Sequence, residues 1–147
     1  GTLASLAAKV GSILGGASKE EADKIAEISA NIGIGFQIID DVQNLTIGNP
    51  GKKRGDDIVE GKKSLPVILH IEKNPEHKEQ IGAFMSEASK NGIECPAVEN
   101  CIALLETSDC IQLAAKKGID YIKENCAMLN SKIINDLFIN MVPEVFR

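Results

Sequence analysis

The feature that most constrains the fold is a long stretch of apolar residues at helical spacing, which extends from Ser18 to about Thr46. Ser18 is followed three positions later by Glu21, and this is the capping-box pattern that begins a helix. A turn-forming sequence at 48–51 ends the stretch. The pattern therefore predicts one long helix over about 18–46. Its apolar residues are Ile25, Ile28, Ile32, Phe36, Ile39 and Val42.

Composition extends the helical prediction to the whole chain of 147 residues. Trp is absent and aromatic residues make up 3%, which disfavours sandwiches and barrels that depend on aromatic strands. With 44% hydrophobic residues, the chain is expected to fold as a single all-α unit over 1–147. Further helices are predicted from the start to the glycine pair at 15–16, from about Ser64, and at about 76–90, 96–107, 108–127 and 130–141.

Charge and cysteine content argue against several classes of function. The net charge of -5 gives no general attraction to nucleic acid or to an anionic membrane. No apolar run reaches the roughly 18 residues that a membrane span needs. Cys95, Cys101, Cys110 and Cys126 lack zinc-ligand spacing and are interpreted as reduced core thiols. A reducing compartment, and therefore a cytoplasmic protein, is expected.

A polar face interrupts the apolar pattern near the end of the long predicted helix. Gln37, Asp40, Asp41 and Asn44 fall within about 100 degrees of one another around the helix axis. Adjacent carboxylates on an otherwise apolar helix are costly to bury unless a positive group compensates them, and Mg²⁺ prefers oxygen ligands. The face is therefore interpreted either as part of a magnesium site or as a solvated acidic patch.

The segment that follows, at about 48–63, is predicted to be a loop with a high density of positive charge. Lysines attract phosphate, and a glycine-flanked backbone can approach it closely, so helix and loop together indicate a metal-plus-diphosphate site. The alternative is a solvated charged loop. A Walker P-loop is excluded because its sequence pattern is absent. The cationic side chains of the segment are Lys52, Lys53, Arg54, Lys62 and Lys63.

Two linked motifs resemble those of one known family. The sequence GFQIIDDVQN at 35–44, followed by EGKKSLP at 60–66, is similar to the second aspartate-rich region of the trans-isoprenyl (polyprenyl) diphosphate synthases. The resemblance extends to the opening residues 1–3 and to the helical tail at 104–107. It covers essentially the whole chain but only the C-terminal half of the family's fold. It implies the C-terminal part of the isoprenoid synthase helical bundle.

The resemblance also implies roles for individual residues. Asp40 would ligate Mg²⁺, and Asp41 would help to hold the metal and its waters. Gln37 would lie beside the ionising allylic group. Lys53 and Lys62 match family lysines that grip the allylic diphosphate.

Five other positions differ in what the resemblance implies for them. Asp57 matches a loop aspartate that orients the lysines, whereas Lys52 and Arg54 face either the diphosphate or solvent. Asn44 replaces the commoner aspartate, so direct metal ligation is not implied there. Arg147 is a single basic residue at a place where basic tails in the family close over substrate.

The implied activity is Mg²⁺-dependent prenyl transfer, in which an allylic diphosphate condenses with isopentenyl diphosphate. The first aspartate-rich motif, the family's Lys-Thr pair and its upstream basic residues have no match here, so the chain alone is expected to be inactive. The expected partners are the two diphosphates and the N-terminal half of the synthase, with a homodimer in the complete enzyme. The alternative is a non-catalytic helical interaction subunit that modifies a complete synthase.

The two histidines, His70 and His77, lie on either side of Pro75. Their spacing does not match an H-E-x-x-H metal site. They are therefore expected to occupy surface or helix-end positions and not to pair with one another.

Overall fold

The computed structural model describes residues 1–51 and 53–147, and every regular element within these ranges is helical. The prediction of an all-α fold is confirmed. Two short 3₁₀ turns, at Pro75–His77 and Glu144–Phe146, accompany the α-helices. The helices are α1 (Thr2–Leu14), α2 (Lys19–Leu45), α3 (Asp56–Val59), α4 (Leu65–Lys73), α5 (Lys78–Asn91), α6 (Pro96–Glu106), α7 (Cys110–Met128) and α8 (Lys132–Met141).

Helix α2 begins and ends close to the predicted positions, and local hydrogen bonds explain both ends. The Ser18 hydroxyl accepts from the Glu21 N–H at 3.2 Å, and the Glu21 carboxylate accepts from the Ser18 N–H at 2.9 Å. This is the predicted capping box. At the other end, the Gly48 N–H donates to the Gln43 carbonyl at 2.8 Å, and Gly48 has a φ of 78°. Such a left-handed glycine is a common way to end a helix.

The chain divides into two units, of which the first comprises Gly1–Ile39 and Lys116–Arg147. Helices α2 and α7 approach closely in its core because glycines lie where they meet. A Cβ at Gly35 would lie 2.6 Å from Ile122 Cγ1 and 2.9 Å from the Gly118 carbonyl oxygen. The core therefore depends on the absence of a side chain at this position. Its buried residues are Ile28, Ile32, Ile39, Ile119, Ile122, Cys126 and Val142.

The second unit, Asp40–Ala115, contains the end of α2, the helices α3 to α6 and the start of α7. Helix α6 packs against α3, α4 and α5. Fully buried side chains in this unit include Ile58 of α3, Ile81 of α5 and Ile102 of α6. That residues 1–147 form one helical unit stays a prediction.

The structure corrects the prediction for segment 48–63, which is not a loop throughout. Asp56–Val59 form the short helix α3. Gly55, with a φ of 89°, turns the chain into this helix, and Ile58 is buried in the core. The gain from burying this side chain explains why a helical turn forms inside a highly charged segment. Helical periodicity does not show in a helix this short.

The structure also shows the state of the cysteines and whether any helix could span a membrane. Cys95, Cys101, Cys110 and Cys126 are all free and buried, as predicted for reduced core thiols. Among the described residues, no helix combines the length and apolar character needed to cross a membrane.

Candidate metal and diphosphate site

The predicted acidic face lies on the last turns of α2. Some of its residues are buried and others are exposed. Asp41 and Asn44 are buried in the second unit, whereas Asp40 is exposed. Gln37 lies about one turn before Asp41, in the part of α2 that belongs to the first unit, and is exposed. Because a buried carboxylate is costly without compensation, Asp41 requires a positive partner.

That partner is Lys62, whose ammonium group bridges two buried carboxylates. Its Nζ lies 2.6 Å from Asp41 Oδ1 and 3.2 Å from Asp57 Oδ2. The side chains of Asp41 and Asp57 are 8% and 7% exposed. Lys62 therefore joins the end of α2 to the segment that carries Asp57, through ion pairs with both carboxylates.

The protonation states of this cluster follow from its burial and its ion pairs. Burial raises the pKa of the Asp57 carboxyl, and the nearby Asp41 adds to this, while Lys62 opposes it. Burial alone would lower the pKa of Lys62, but its hydrogen bonds to Asp41 and Asp57 outweigh burial and raise it. Lys62 is therefore a permanent cation at neutral pH.

Asn44 joins helix α2 to the basic segment. Its Oδ1 accepts from the Asp57 N–H at 3.1 Å, and its backbone carbonyl accepts from the Gly55 N–H at 2.9 Å. The side chain is 1% exposed, and its Nδ2 has no hydrogen-bond partner among the described residues. A buried donor without a partner costs about 1–3 kcal/mol. This amide is thus a donor suited to an oxygen acceptor, and sequence reasoning did not identify that role.

Gly55 fixes the path of the basic segment in front of α3. A Cβ at this position would lie 2.4 Å from Val98 Cγ1 of α6. Its φ of 89° is also one that residues with side chains rarely adopt. The backbone that leads to Asp57 is therefore held against α6 at a point where only glycine fits.

Asp40 and Lys53, two of the predicted site residues, have partners outside the Lys62 cluster. The Asn49 amide donates to a carboxylate oxygen of Asp40, and also to its backbone carbonyl at 3.3 Å. Lys53 forms an exposed ion pair with Glu94, between α5 and α6. The structure thus brings Asp41, Asp57 and Lys62 together, whereas Lys53 pairs with Glu94 outside this cluster.

Three other basic residues, Lys52, Arg54 and Arg147, have no single role implied by the resemblance. Arg54 donates to the Leu45 carbonyl at 3.0 Å and pairs with two glutamates of α6, Glu99 and Glu106, so it holds the segment in place. Arg147 donates to the carbonyl of Val142 at 2.7 Å, and therefore braces the end of α8. Lys52 lies outside the described residues.

The oxygen donors at the end of α2 suit a hard cation such as Mg²⁺. Within residues 1–51 and 53–147, no three His, Cys, Asp or Glu side chains are grouped to form a closed metal site. Mg²⁺ commonly keeps several waters and binds one or two carboxylates together with substrate phosphates. Asp40, which is exposed, and Asp41, which is buried beside it on α2, fit that open mode of binding.

Comparisons with known proteins identify the family. The family model for polyprenyl synthetase matches residues 1–102. A geranylgeranyl diphosphate synthase from Methanosarcina mazei is 36% identical over 120 residues, which cover 80% of this chain and 35% of that protein. A heptaprenyl diphosphate synthase from Staphylococcus aureus matches with a TM-score of 0.71 at 28% identity, over 95% of this chain and 44% of the other.

A decaprenyl diphosphate synthase from Rhodobacter capsulatus gives a similar result, with a TM-score of 0.69 and 26% identity. The match covers 97% of this chain and 47% of that one. The chain thus spans less than half the length of these three relatives. The family match includes all of α2 and the whole segment that carries Asp57 and Lys62. The chain belongs to the polyprenyl synthetase family.

Proposed function

We propose that this chain supplies the second Mg²⁺-diphosphate platform of a prenyltransferase in isoprenoid biosynthesis, which condenses an allylic diphosphate with isopentenyl diphosphate. The observation that carries the proposal is the Lys62 ammonium group, held between the buried carboxylates of Asp41 and Asp57. The names of the relatives, which are geranylgeranyl, heptaprenyl and decaprenyl diphosphate synthases, support this reaction class.

The roles proposed for the residues are those that the family resemblance implies, and the charges and burial described above are consistent with them. Asp40 and Asp41 hold Mg²⁺, which when bound supplies positive charge to the departing diphosphate. Lys62, protonated and oriented by Asp57, binds a diphosphate oxygen. Lys53 is exposed and exchanges Glu94 for phosphate. Gln37 lies beside the ionising allylic group.

The first unit supports a further part of the proposal, namely that the platform works with the N-terminal half of the synthase. Leu14 of α1 and Ile133 of α8 are 82% and 83% exposed. The same unit has an apolar groove of about 560 Å³, lined by residues that include Ala4, Phe36 and Phe138. Exposed apolar side chains together with an apolar groove are typical of an interaction surface. A homodimeric complete enzyme and a cytoplasmic location are part of the same proposal.

The exposed apolar surface also favours a second candidate function. A non-catalytic interaction subunit that modifies a complete synthase would need such a surface, but it would not need the cluster of Asp41, Asp57 and Lys62. Burying carboxylates costs stability, and a subunit that binds no ligand gains nothing in return. Binding of Mg²⁺ with diphosphate therefore distinguishes the two candidates.

Isothermal titration calorimetry with Mg²⁺ and inorganic diphosphate tests the proposal directly. We expect binding that requires both components, and a loss of at least about 10-fold in affinity for Asp41→Asn and for Lys62→Met, because each removes a charged contact. Lys63→Met is the matched control, since Lys63 is the exposed neighbour of Lys62. If the unaltered chain does not bind, the interaction-subunit function is favoured.

A condensation assay tests the remaining part of the proposal. The chain alone is expected to be inactive, whereas the chain together with the N-terminal half is expected to convert labelled isopentenyl diphosphate and an allylic diphosphate. Magnesium-dependent condensation by the 147-residue chain alone would contradict the need for that partner.

A further inference from the structure

His70 and His77, the only two histidines of the chain, form a hydrogen-bonded pair inside the second unit. His70 Nε2 lies 2.9 Å from His77 Nδ1, and the two rings are stacked with centroids 5.2 Å apart. The expectation that these residues would not pair was wrong. The 3₁₀ turn at Pro75–His77 folds the chain back toward α4, a reversal that helical spacing does not predict.

The pair also reaches the start of α7. His70 Nδ1 lies 2.8 Å from the Ser108 hydroxyl, which lies in the connection between α6 and α7. The Asn74 amide donates to the His70 carbonyl at 3.1 Å and holds the chain where α4 ends. His70 itself is completely buried. The end of α4, the following 3₁₀ turn and the distant connection between α6 and α7 therefore meet at one imidazole ring.

These contacts are satisfied when both rings are neutral. A hydrogen bond between two imidazole nitrogens requires one to carry a proton and the other to offer a lone pair. One added proton places a charge on a fully buried ring or on its neighbour. A second added proton directs N–H against N–H at 2.9 Å and removes the bond.

The charged groups around the pair are few, and they compensate it only weakly. Glu76 Oε1 lies 4.0 Å from His77 Nε2, on the side of that ring away from His70. Lys73, at the end of α4, is already paired with Asp109, which follows Ser108. Asp109 is followed by Cys110, and burial raises the pKa of the Cys110 thiol.

The pKa of His70 follows from this environment. Burial lowers it, the adjacent His77 lowers it further, and the Leu105 carbonyl and Glu76 oppose these effects. A group with a lowered pKa in the folded state binds protons more readily in the unfolded chain. Stability contributed by neutral His70 is therefore complete above its unfolded pKa of about 6.5, and it is lost as the pH falls below that value.

We propose that His70, His77 and Ser108 form an acid-sensitive latch that joins α4, the 3₁₀ turn and the start of α7. The latch is closed at neutral pH, and protonation of the buried His70 opens it. The inference does not depend on the proposed enzymatic function, because it concerns a different part of the second unit.

Urea unfolding of the whole chain between pH 8 and pH 5 tests the latch. Below pH 6.5 the unfolding equilibrium constant is expected to rise by up to about 10-fold per pH unit, the slope for uptake of one extra proton on unfolding. His70→Gln keeps a hydrogen-bonding side chain but does not titrate, so it should remove this slope. Ser108→Ala keeps both histidines and should keep it. The three proteins share every titratable group except His70, so the contribution of the shared groups cancels in the comparison.

NMR keeps the proposal testable if His70→Gln fails to fold. With two histidines, the ring Cε1–H signals of the unaltered chain separate into one from His70 and one from His77. We expect the His70 signal to titrate below pH 6.5, and amide exchange in α4, corrected for its intrinsic pH dependence, to accelerate over the same range. A His70 signal that titrates normally, or stability that is equal at pH 7.5 and 5.5, would overturn the latch.

Discussion

The two units of this chain differ in the polar groups that they bury and in the apolar side chains that they expose. In the first unit, the buried polar side chains are neutral, as in Ser29 and Asn125, and the outside carries much apolar surface. In the second unit, Asp41, Asp57 and His70 are buried, while large exposed hydrophobic side chains are few. All those identified as strongly exposed lie in the first unit except Ile47 and Ile68.

This difference shows how binding chemistry and assembly are distributed along one chain. Charges can stay buried in the second unit because ion pairs and backbone donors compensate them. The first unit has no comparable buried charges among the described residues. Its exposed leucines and isoleucines are stabilised only when another apolar surface covers them. We therefore expect substitutions in the second unit to affect ligand binding and local backbone geometry, and surface substitutions in the first unit to affect association.

The largest effect on stability is expected at Gly55. Gly55→Ala forces a side chain into a left-handed conformation and against Val98, at a total cost of about 2–5 kcal/mol. Gly61→Ala is the control, because Gly61 also has a positive φ but has open space around it. It should cost about 1–2 kcal/mol. Equal losses in urea unfolding would show that packing against α6 does not hold the basic segment.

The next largest effect concerns catalysis by the complete enzyme. Asp40→Ala is expected to lower turnover by roughly 10²-fold or more, the scale for removing one preorganised electrostatic group. Asp23→Ala in the first unit, where Asp23 forms an exposed pair with Lys9, should leave turnover unchanged. The measurement is steady-state kinetics of the chain assembled with its N-terminal half. Near-normal turnover of Asp40→Ala would remove Asp40 from the proposed metal ligands.

A smaller effect is expected at the start of α2. Ser18→Ala removes the hydroxyl acceptor of the capping box and should destabilise the first unit by about 1 kcal/mol. Ser131→Ala, at the start of α8, removes a longer bond of 3.4 Å and should cost less. Thermal unfolding of both variants measures the difference. A larger loss for Ser131→Ala would show that the capping box is not what fixes this end of α2.

The smallest effect on folding is expected when two equally exposed hydrophobic side chains are replaced. These two replacements also test the comparison of the two units most directly. Leu6 of the first unit and Ile47 of the second are both 61% exposed. Replacing either by Ser should change folding stability by no more than about 0.5 kcal/mol. Leu6→Ser should weaken association with the N-terminal half, whereas Ile47→Ser should not. Equal effects on sedimentation with that partner would contradict the division of roles between the units.

Much of the fold could be predicted because its signals are local. The bounds of α2 follow from a capping box and a turn sequence only a few residues long, and the proline-started helices α4 and α6 follow from equally short patterns. The acidic face could be found because one helix carries all its members. Their charges predicted that the acidic face and the basic segment share one site. The contact between Asp41 and Lys62 was not predicted, since a spacing of 21 positions is no local signal.

The missed contacts depend on tertiary structure. Arg54 pairs with Glu99 across 45 positions, and His70 meets Ser108 across 38. Neither pattern differs in sequence from that of a solvated charge or a surface histidine. The role of Asn44 was missed for a related reason, because its partner Asp57 offers a backbone N–H, which every residue except proline possesses.

The four buried cysteines provide the chain with a built-in reporter of its own opening. Cys126 belongs to the first unit, whereas Cys95, Cys101 and Cys110 belong to the second. Burial raises the pKa of Cys101 to about 11, so its reactive thiolate is scarce while the protein is folded. The rate at which an alkylating reagent modifies each thiol therefore records when its surroundings become accessible. Mass spectrometry of the modified peptides would time the opening of the two units separately, in one experiment and without any substitution.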